Sequence, residues 1–482
     1  MNYGVVSWAL GRVLWVEASL MIFPVIVALI YREGPITTLS FLATMLILLL
    51  AGWLLGKAKP TSKKLYTKEG LVITGLSWVL LSFFGSFPFV FSGEIPSLVD
   101  AFFETASGFT TTGASILTDV EALSYSMLFW RSFTHLIGGM GILVFTMAII
   151  PRMGDDTVHI MKAEVPGPVF GKIVSKTGST ARILYIVYLA MWVLTVIFLL
   201  FGGMPLFDSM VHGFGAAGTG GFSMRNGSVM TYNSAYIEVV LGIAMILFGV
   251  NFNLYFFMIV GNWKVTFKNE EFRWYLGIIA AAVVAISFSL RGVYETLGER
   301  VRHVFFTVSS IITTTGFSTE DFGQWPMFTH VMLLLLMFVG AMAGSTGGGL
   351  KVSRVVILFK NALQELRRVR EPKRVLTTRY ENRPLTKGVT DSILKYLVVY
   401  VFLFAFLVLA IAPDSPNFST AFSAVAATIN NIGPGIGTVG PAGNYAAFSN
   451  FSKMMLSISM LAGRLELYPI LLLFMRHTWK RY

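Results

Sequence analysis

The chain has no cysteine, and its 482 residues include only six histidines. Without cysteine there is no disulfide, no thiolate nucleophile and no Cys-type metal site, and the redox compartment stays open. Charge is scarce too, at 13% against 55% hydrophobic residues and a mean hydropathy of +0.70. Soluble domains do not have that balance, so lipid is the solvent. A His-Glu-x-x-His pair and a nucleophile elbow are also missing, which excludes the constellations a membrane-embedded enzyme needs. A net charge of +12 would suit nucleic acid only on a clustered soluble face; here basic residues punctuate apolar segments, so no nucleic acid partner is expected.

What is present is a series of apolar runs. A hydrocarbon core of roughly 30 Å takes about 20 residues to cross. Suitable runs lie near 5–31, 37–56, 70–92, 126–150, 183–203, 235–262, 273–290, 327–358, 391–412 and 450–475, giving ten expected crossings. The first lacks a small-residue cleavage site before the next span and is expected to be a retained helix. With alternating sides, one face holds 29 of the 37 Lys and Arg residues. They comprise Arg12, the Lys57 to Lys68 group and the 152–182, 264–273, 351–395 and 476–481 groups. By the positive-inside rule that face, with both termini, is cytoplasmic. Trp479 with Lys480 and Arg481 is expected to anchor the C-terminal end at the interface. The outer side carries thirteen acids against seven bases, which predicts a net negative outer mouth that concentrates cations. The plain alternative is that acids avoid the basic side.

Four outward segments repeat one phrase. They are "DAFFETASGFTTTGAS" from Asp100, "DSMVHGFGAAGTGGFS" from Asp208, "HVFFTVSSIITTTGFS" and "TAFSAVAATINNIGPG", aligned on Gly113, Gly221, Gly316 and Gly433. Six residues before the glycine stands Ser107, Gly215, Ser310 or Ala427, always small. Two before it stands Thr111, Thr219, Thr314 or Asn431, always polar. Each segment reads as a half-helix of about 10 to 13 residues followed by an extended turn, too short to cross. Non-helical backbone at membrane depth must be buried in protein or line water, so four such stretches imply one shared axis. The carbonyls of 111–113, 219–221, 314–316 and 431–433 would then form stacked oxygen rings that replace the water shell of a cation. The half-helix C-termini also favour a cation. Close packing through small residues is the alternative for any one segment; four aligned copies on one side favour the pore.

The eighth run contains Gly340, Gly344, Gly347, Gly348 and Gly349, with Ser345 and Thr346 between them. At about 1 kcal/mol per glycine a helix is not expected to continue through it. A phosphate-binding loop would need Lys directly after the second glycine, where Leu350 stands, and a preceding strand. A plain packing kink is the other alternative. Arg464, in the tenth run, would cost at least ~2.5–3.5 kcal/mol facing lipid, so it must meet protein or water. Carbonyls of 344–349 or Glu466 are the candidate partners, and the loop is favoured. Asp208 and His212 are four apart, but two ligands do not make a metal site. Glu17 is expected at an interface or against another helix, with a place in a transport path as the alternative. The arginine-dense 360–387 link reads equally as a topogenic run near anionic lipid or as a docking surface.

Taken together, the four half-helix motifs, "GAMAGSTGGGLKVSR", "GRLELYP" and two leading helices resemble the Trk/Ktr/HKT superfamily, most closely its TrkH branch. The resemblance implies an all-α polytopic membrane protein, with two N-terminal helices and four pseudo-repeated helix–pore-loop–helix units around one central pore. Expected boundaries are 1–69 for the extra helices, then 70–151, 152–263, 264–388 and 389–482 for the four repeats. It further implies a homodimer with a cytoplasmic TrkA-like ring that binds nucleotides, in the cytoplasmic (inner) membrane. The transported ion would be K+, with no covalently bound cofactor. Filter residues would be Thr111, Thr112 and Gly113; Thr219, Gly220 and Gly221; Thr314, Thr315 and Gly316; and Asn431, Ile432 and Gly433. Gate residues would be Gly344, Ser345, Thr346, Gly347, Gly348, Gly349 and Arg464, moved by the ring. The fourth repeat departs from the threonine pattern at Asn430, Asn431 and Ile432. A proton- or sodium-coupled symporter on the same scaffold is the rival to a channel, although the spans hold few ionisable residues.

Overall fold

A computed structural model describes residues 1–57, 66–141, 177–371, 373 and 377–480. The expected second half of the fourth run, most of the 152–182 link, Lys59, Lys63, Lys64 and Arg481 lie outside the described residues, as does the 151/152 boundary.

The leading pair is α1 (Tyr3–Leu20) continued by α2 (Ile22–Ile30), and α3 (Pro35–Gly56). Asn2 caps α1 through its side chain on the Val5 N–H, and Pro35 starts α3 where no N–H is needed. The helices touch glycine to glycine: a Cβ at Gly11 would stand 2.6 Å from the Gly52 carbonyl. Such closeness is how membrane helices associate where burial of apolar surface drives nothing.

Four helix, short helix, helix units follow. The first has α4 (Thr67–Gly85) extended by α5 (Phe87–Ser92), short α6 (Leu98–Phe109) and α7 (Tyr125–Gly139). The second has α8 (Thr177–Phe201), short α9 (Leu206–Gly218), and α10 (Ala235–Phe248) with α11 (Phe252–Ile259), then a connecting turn of helix, α12 (Trp263–Lys268). The third has α13 (Glu270–Ser289), short α14 (Leu297–Ile312), α15 (Met327–Val339) and α16 (Val352–Arg370). A two-residue hairpin, Arg379–Tyr380 against Arg383–Pro384, leads into the fourth: α17 (Lys387–Ile411), short α18 (Phe418–Ile429), α19 (Asn450–Arg464) and α20 (Tyr468–Phe474).

The short helices run 12, 13, 16 and 12 residues. At 1.5 Å per residue all are shorter than the hydrocarbon core. The third exceeds the expected length because it starts a turn early, on Leu297, with Thr296 capping the Glu299 N–H. Side chains 101–109, 211–218 and, Phe422 apart, 420–429 are buried, polar ones included, as suits helices enclosed by other helices.

Among the described residues six stretches are long and apolar enough to cross: Tyr3–Ile30, Pro35–Gly56, Thr67–Ser92, Arg182–Phe201, Glu270–Ser289 and Lys387–Asp414. The sixth run is broken, with α10 and α11 meeting at 92°. The eighth is split by residues 340–351 and the tenth by 465–467. An apolar run therefore marked a crossing but not an unbroken helix, because hydropathy is blind to backbone hydrogen bonds that leave the helix.

Candidate functional site

After each short helix the chain makes the same turn. The N–H of the residue before the glycine returns to the small residue six before it: Thr112 to Ser107, Gly220 to Gly215, Thr315 to Ser310 and Ile432 to Ala427, each at 2.8 Å. The preceding N–H, on Thr111, Thr219, Thr314 or Asn431, also bonds back, at 3.1–3.2 Å to Gly108, Ala216, Ile311 and Thr428. Those four polar residues have φ between 53° and 61°, and the glycines have φ between 73° and 95°. A left-handed residue other than glycine costs roughly 1–2 kcal/mol. Four of them in register show a turn held by its hydrogen bonds. Alternating hand aims successive N–H groups one way and carbonyls the other. Among the described residues no donor reaches the carbonyls of Thr111, Thr112, Thr219, Gly220, Thr314, Thr315, Asn431 or Ile432.

The four turns close on one another. A Cβ at Gly113 would strike the Gly220 carbonyl, one at Gly221 the Thr315 carbonyl, and one at Gly316 the Ile432 carbonyl; one at Gly433 would lie 2.7 Å from the Thr112 carbonyl. The order first, second, third, fourth and back to first is a ring, with no room at any of its four joints. Directly outside it lies a depression of about 210 Å³, lined by all four glycines.

The fourth strand's departure has a physical account. In the first and third strands, hydroxyls pair locally at 2.7 Å, Thr110 with Thr112 and Thr313 with Thr315. In the fourth, the Asn431 amide donates 2.9 Å to Thr112 Oγ1 and 2.9 Å to the Met460 carbonyl, tying the strand to its neighbours. Asn430 accepts from Tyr400, and Tyr445 donates to the Gly433 carbonyl.

The glycine loop lies against the inner side of this ring. Gly340, Gly344 and Gly349 have positive φ, and so does Lys351 at 80°. Gly348 N–H donates 2.6 Å to Thr314 Oγ1, and a Cβ at Gly348 would strike the Asn430 carbonyl. Thr346 Oγ1 donates to Phe248, Met342 N–H to Gly249 and Phe252 N–H to Gly344. The break between α10 and α11 thus supplies the loop's partners. Arg464, 6% exposed, donates 2.6 Å to Thr346 and 2.6 and 2.7 Å to Gly138 and Gly139. Loop carbonyls are therefore among its partners, as expected, and the end of α7 is a partner the sequence did not suggest. Glu466 pairs with Arg354 at 2.5 Å.

Sequence reasoning missed several groups. Glu271 Oε1 accepts from Ala343 N–H at 2.8 Å and Ser353 N–H at 3.0 Å, clamping both ends of the loop. Lys351 counted with the cytoplasmic basic groups, yet it is 1% exposed with Nζ on the Gly347 carbonyl. Its positive φ turns it inward from the start of α16, a backbone fact that composition does not carry. Arg131 and Glu104 form a buried 2.6 Å pair behind the first strand.

Among the described residues no acid lines the depression; Arg131 and Arg225 do, and both are paired with outer acids, Arg131 with Glu104 and Arg225 with Glu121 and Asp208. Four of the outer acids hold scaffolding, Asp100 on Lys453, Glu94 on Ser124, Glu33 on Ser126 and Asp208 on Tyr232. His212 spends its nitrogens on the Asp208 carbonyl and Ser223 Oγ, and the described residues hold no cluster of metal ligands. Glu17 packs against Gly85 beside α6.

A family model described as TrkH, cation transport protein, matches residues 38–480. The chain belongs to the TrkH family. It is 36% identical over 487 residues to the Trk system potassium uptake proteins TrkH of Salmonella typhimurium and Escherichia coli K12, covering all of both chains. It is 33% identical to TrkG of E. coli K12, over 99% of this chain and 98% of that one. The crystal structure of the potassium transporter TrkH from Vibrio parahaemolyticus superposes with a TM-score of 0.90 at 30% identity, over the whole of both chains. TrkH membership makes this a membrane transport protein of the cation class.

Proposed function

We propose that this chain takes up potassium across the cytoplasmic (inner) membrane through a gated, channel-like pore. The observation that carries the reading is the closed ring of four strands whose carbonyls at 111–112, 219–220, 314–315 and 431–432 meet no donor among the described residues. Such oxygens replace the hydration shell of an ion. Similarity over full length to proteins named for potassium uptake supports the choice of ion. Both termini are cytoplasmic, the working unit is a homodimer, and a TrkA-like nucleotide-binding ring regulates it from inside.

At rest, the 344–349 loop and Arg464 block the way below the ring. Three charge-assisted hydrogen bonds hold the guanidinium there, each worth about 1.5–3 kcal/mol. Arg464→Ala is expected to raise resting rubidium flux into liposomes at least about tenfold and to weaken dependence on the ring, the scale of one such bond. Unchanged resting flux and unchanged ring dependence would overturn the gate. Rubidium uptake by purified protein, in competition with sodium and with and without the ring, tests the function itself.

Glu17 favours a second reading, coupled symport: its carboxyl is buried and no donor among the described residues reaches it. Against that, Arg464, Lys351 and Glu271 near the axis are all bound to backbone. Single-channel currents whose reversal follows the potassium gradient alone support the channel; a reversal moved by a proton or sodium gradient supports symport.

A further inference from the structure

The second strand of the ring is unlike the others. The first and third brace themselves with hydroxyl pairs, and the fourth with asparagine amides. The second has Gly218 and Gly220 at the matching positions, with no side chain at either. The space is filled from the neighbouring unit. A Cβ at Gly220 would strike the His135 imidazole, and one at Gly218 would lie 3.1 Å from His135 Cβ.

His135, on α7, is fully buried. Its Nδ1 lies 2.8 Å from the Gly108 carbonyl in the last turn of α6. Its Nε2 lies 3.2 Å from the backbone nitrogen of Phe222, the residue after Gly221. A carbonyl only accepts and a backbone N–H only donates, so the ring is neutral imidazole with its hydrogen on Nδ1. The imidazole also rests on the Phe222 ring at 4.3 Å. One side chain thus ties the first short helix to the second strand by two directed bonds.

We infer that His135 is a specificity-determining positioning residue, whose neutral ring sets how far the second strand stands from the first and so the width of the oxygen ring at Thr219 and Gly220. The inference rests on the filter reading above. Whether an ion is chosen by cavity size or by oxygen number and field, both follow from where the strands stand. His135 touches no ion; it acts through Phe222 and Gly220.

The test is discrimination, not uptake alone. In planar bilayers under bi-ionic conditions, His135→Phe keeps the bulk and loses both bonds, and it is expected to raise relative sodium permeability about fivefold or more, the scale of a lost buried hydrogen bond. His135→Gln offers one amide donor and one acceptor at similar spacing and is expected to stay within about twofold of the unmodified protein. If His135→Phe discriminates like the unmodified chain, or His135→Gln fails as badly as His135→Phe, the inference is overturned. Should His135→Phe not fold, Gly220→Ala displaces the ring from the other side; the same rise supports the inference and unchanged discrimination overturns it. Gly113→Ser separates the two levels: discrimination lost there but kept in His135→Phe sinks only the histidine's role, while discrimination kept in Gly113→Ser sinks the filter reading and the inference with it.

Discussion

A single methyl group is too large at Gly113, Gly221 or Gly316, because a neighbouring carbonyl already occupies the place. The left-handed φ of these residues adds strain to any substitute. Gly221→Ala is therefore expected to cut rubidium uptake at least about tenfold while the protein still extracts as a folded species, since one clash and about 1–2 kcal/mol of backbone strain displace the carbonyl ring without emptying the core. Uptake by reconstituted vesicles checks it. Tyr445→Phe is milder: it leaves the Gly433 carbonyl without its 2.8 Å donor. One neutral hydrogen bond is worth about 1 kcal/mol, so apparent rubidium affinity should fall roughly fivefold. The glycines and threonines of the ring were legible in the sequence because the phrase occurs four times. His135 was not, since a lone histidine in an apolar run has no repeated counterpart and its partners, Gly108 and Phe222, are 27 and 87 residues away.

Among the elements, broken helices matter more than intact ones. The glycine loop was expected from composition, but its partners were not. The 92° break between α10 and α11 exists to exchange backbone hydrogen bonds with the loop, through Gly249, Phe252 and Gly344. Glu271 then closes the loop's two ends onto the first turn of α13. Glu271→Ala leaves two buried N–H groups unpaired, each costing about 1–3 kcal/mol. The expected outcome is a lower unfolding temperature in detergent together with a raised resting flux; scanning fluorimetry and rubidium leak measure the two. A stable variant with an unchanged leak would show that the clamp does not hold the loop shut. The sequence also read 327–358 and 450–475 as single runs. Leu467 at φ 67° and Glu466 at φ 57° break the second, at a cost hydropathy does not register.

For the whole molecule, the absence of cysteine is an experimental gift. Thr118 lies exposed on the lining of the outer depression and Asn382 exposed in the hairpin after α16. Thr118→Cys is expected to react with a membrane-impermeant maleimide in intact cells, and Asn382→Cys only after permeabilisation. The reverse pattern would invert the topology and the positive-inside argument with it. Sequence alone determined that the chain lives in lipid and that one phrase recurs four times. These follow from composition and spacing, which local physics reads directly. Only the tertiary structure decided that the four phrases close into a ring, that several outer acids hold loops, and that Lys351, Glu271 and His135 are bound to the backbone of the ring and of the glycine loop. Each of those depends on groups far apart in the chain meeting at hydrogen-bond distance, and a meeting of that kind is set by how the helices pack, which no run of residues specifies on its own.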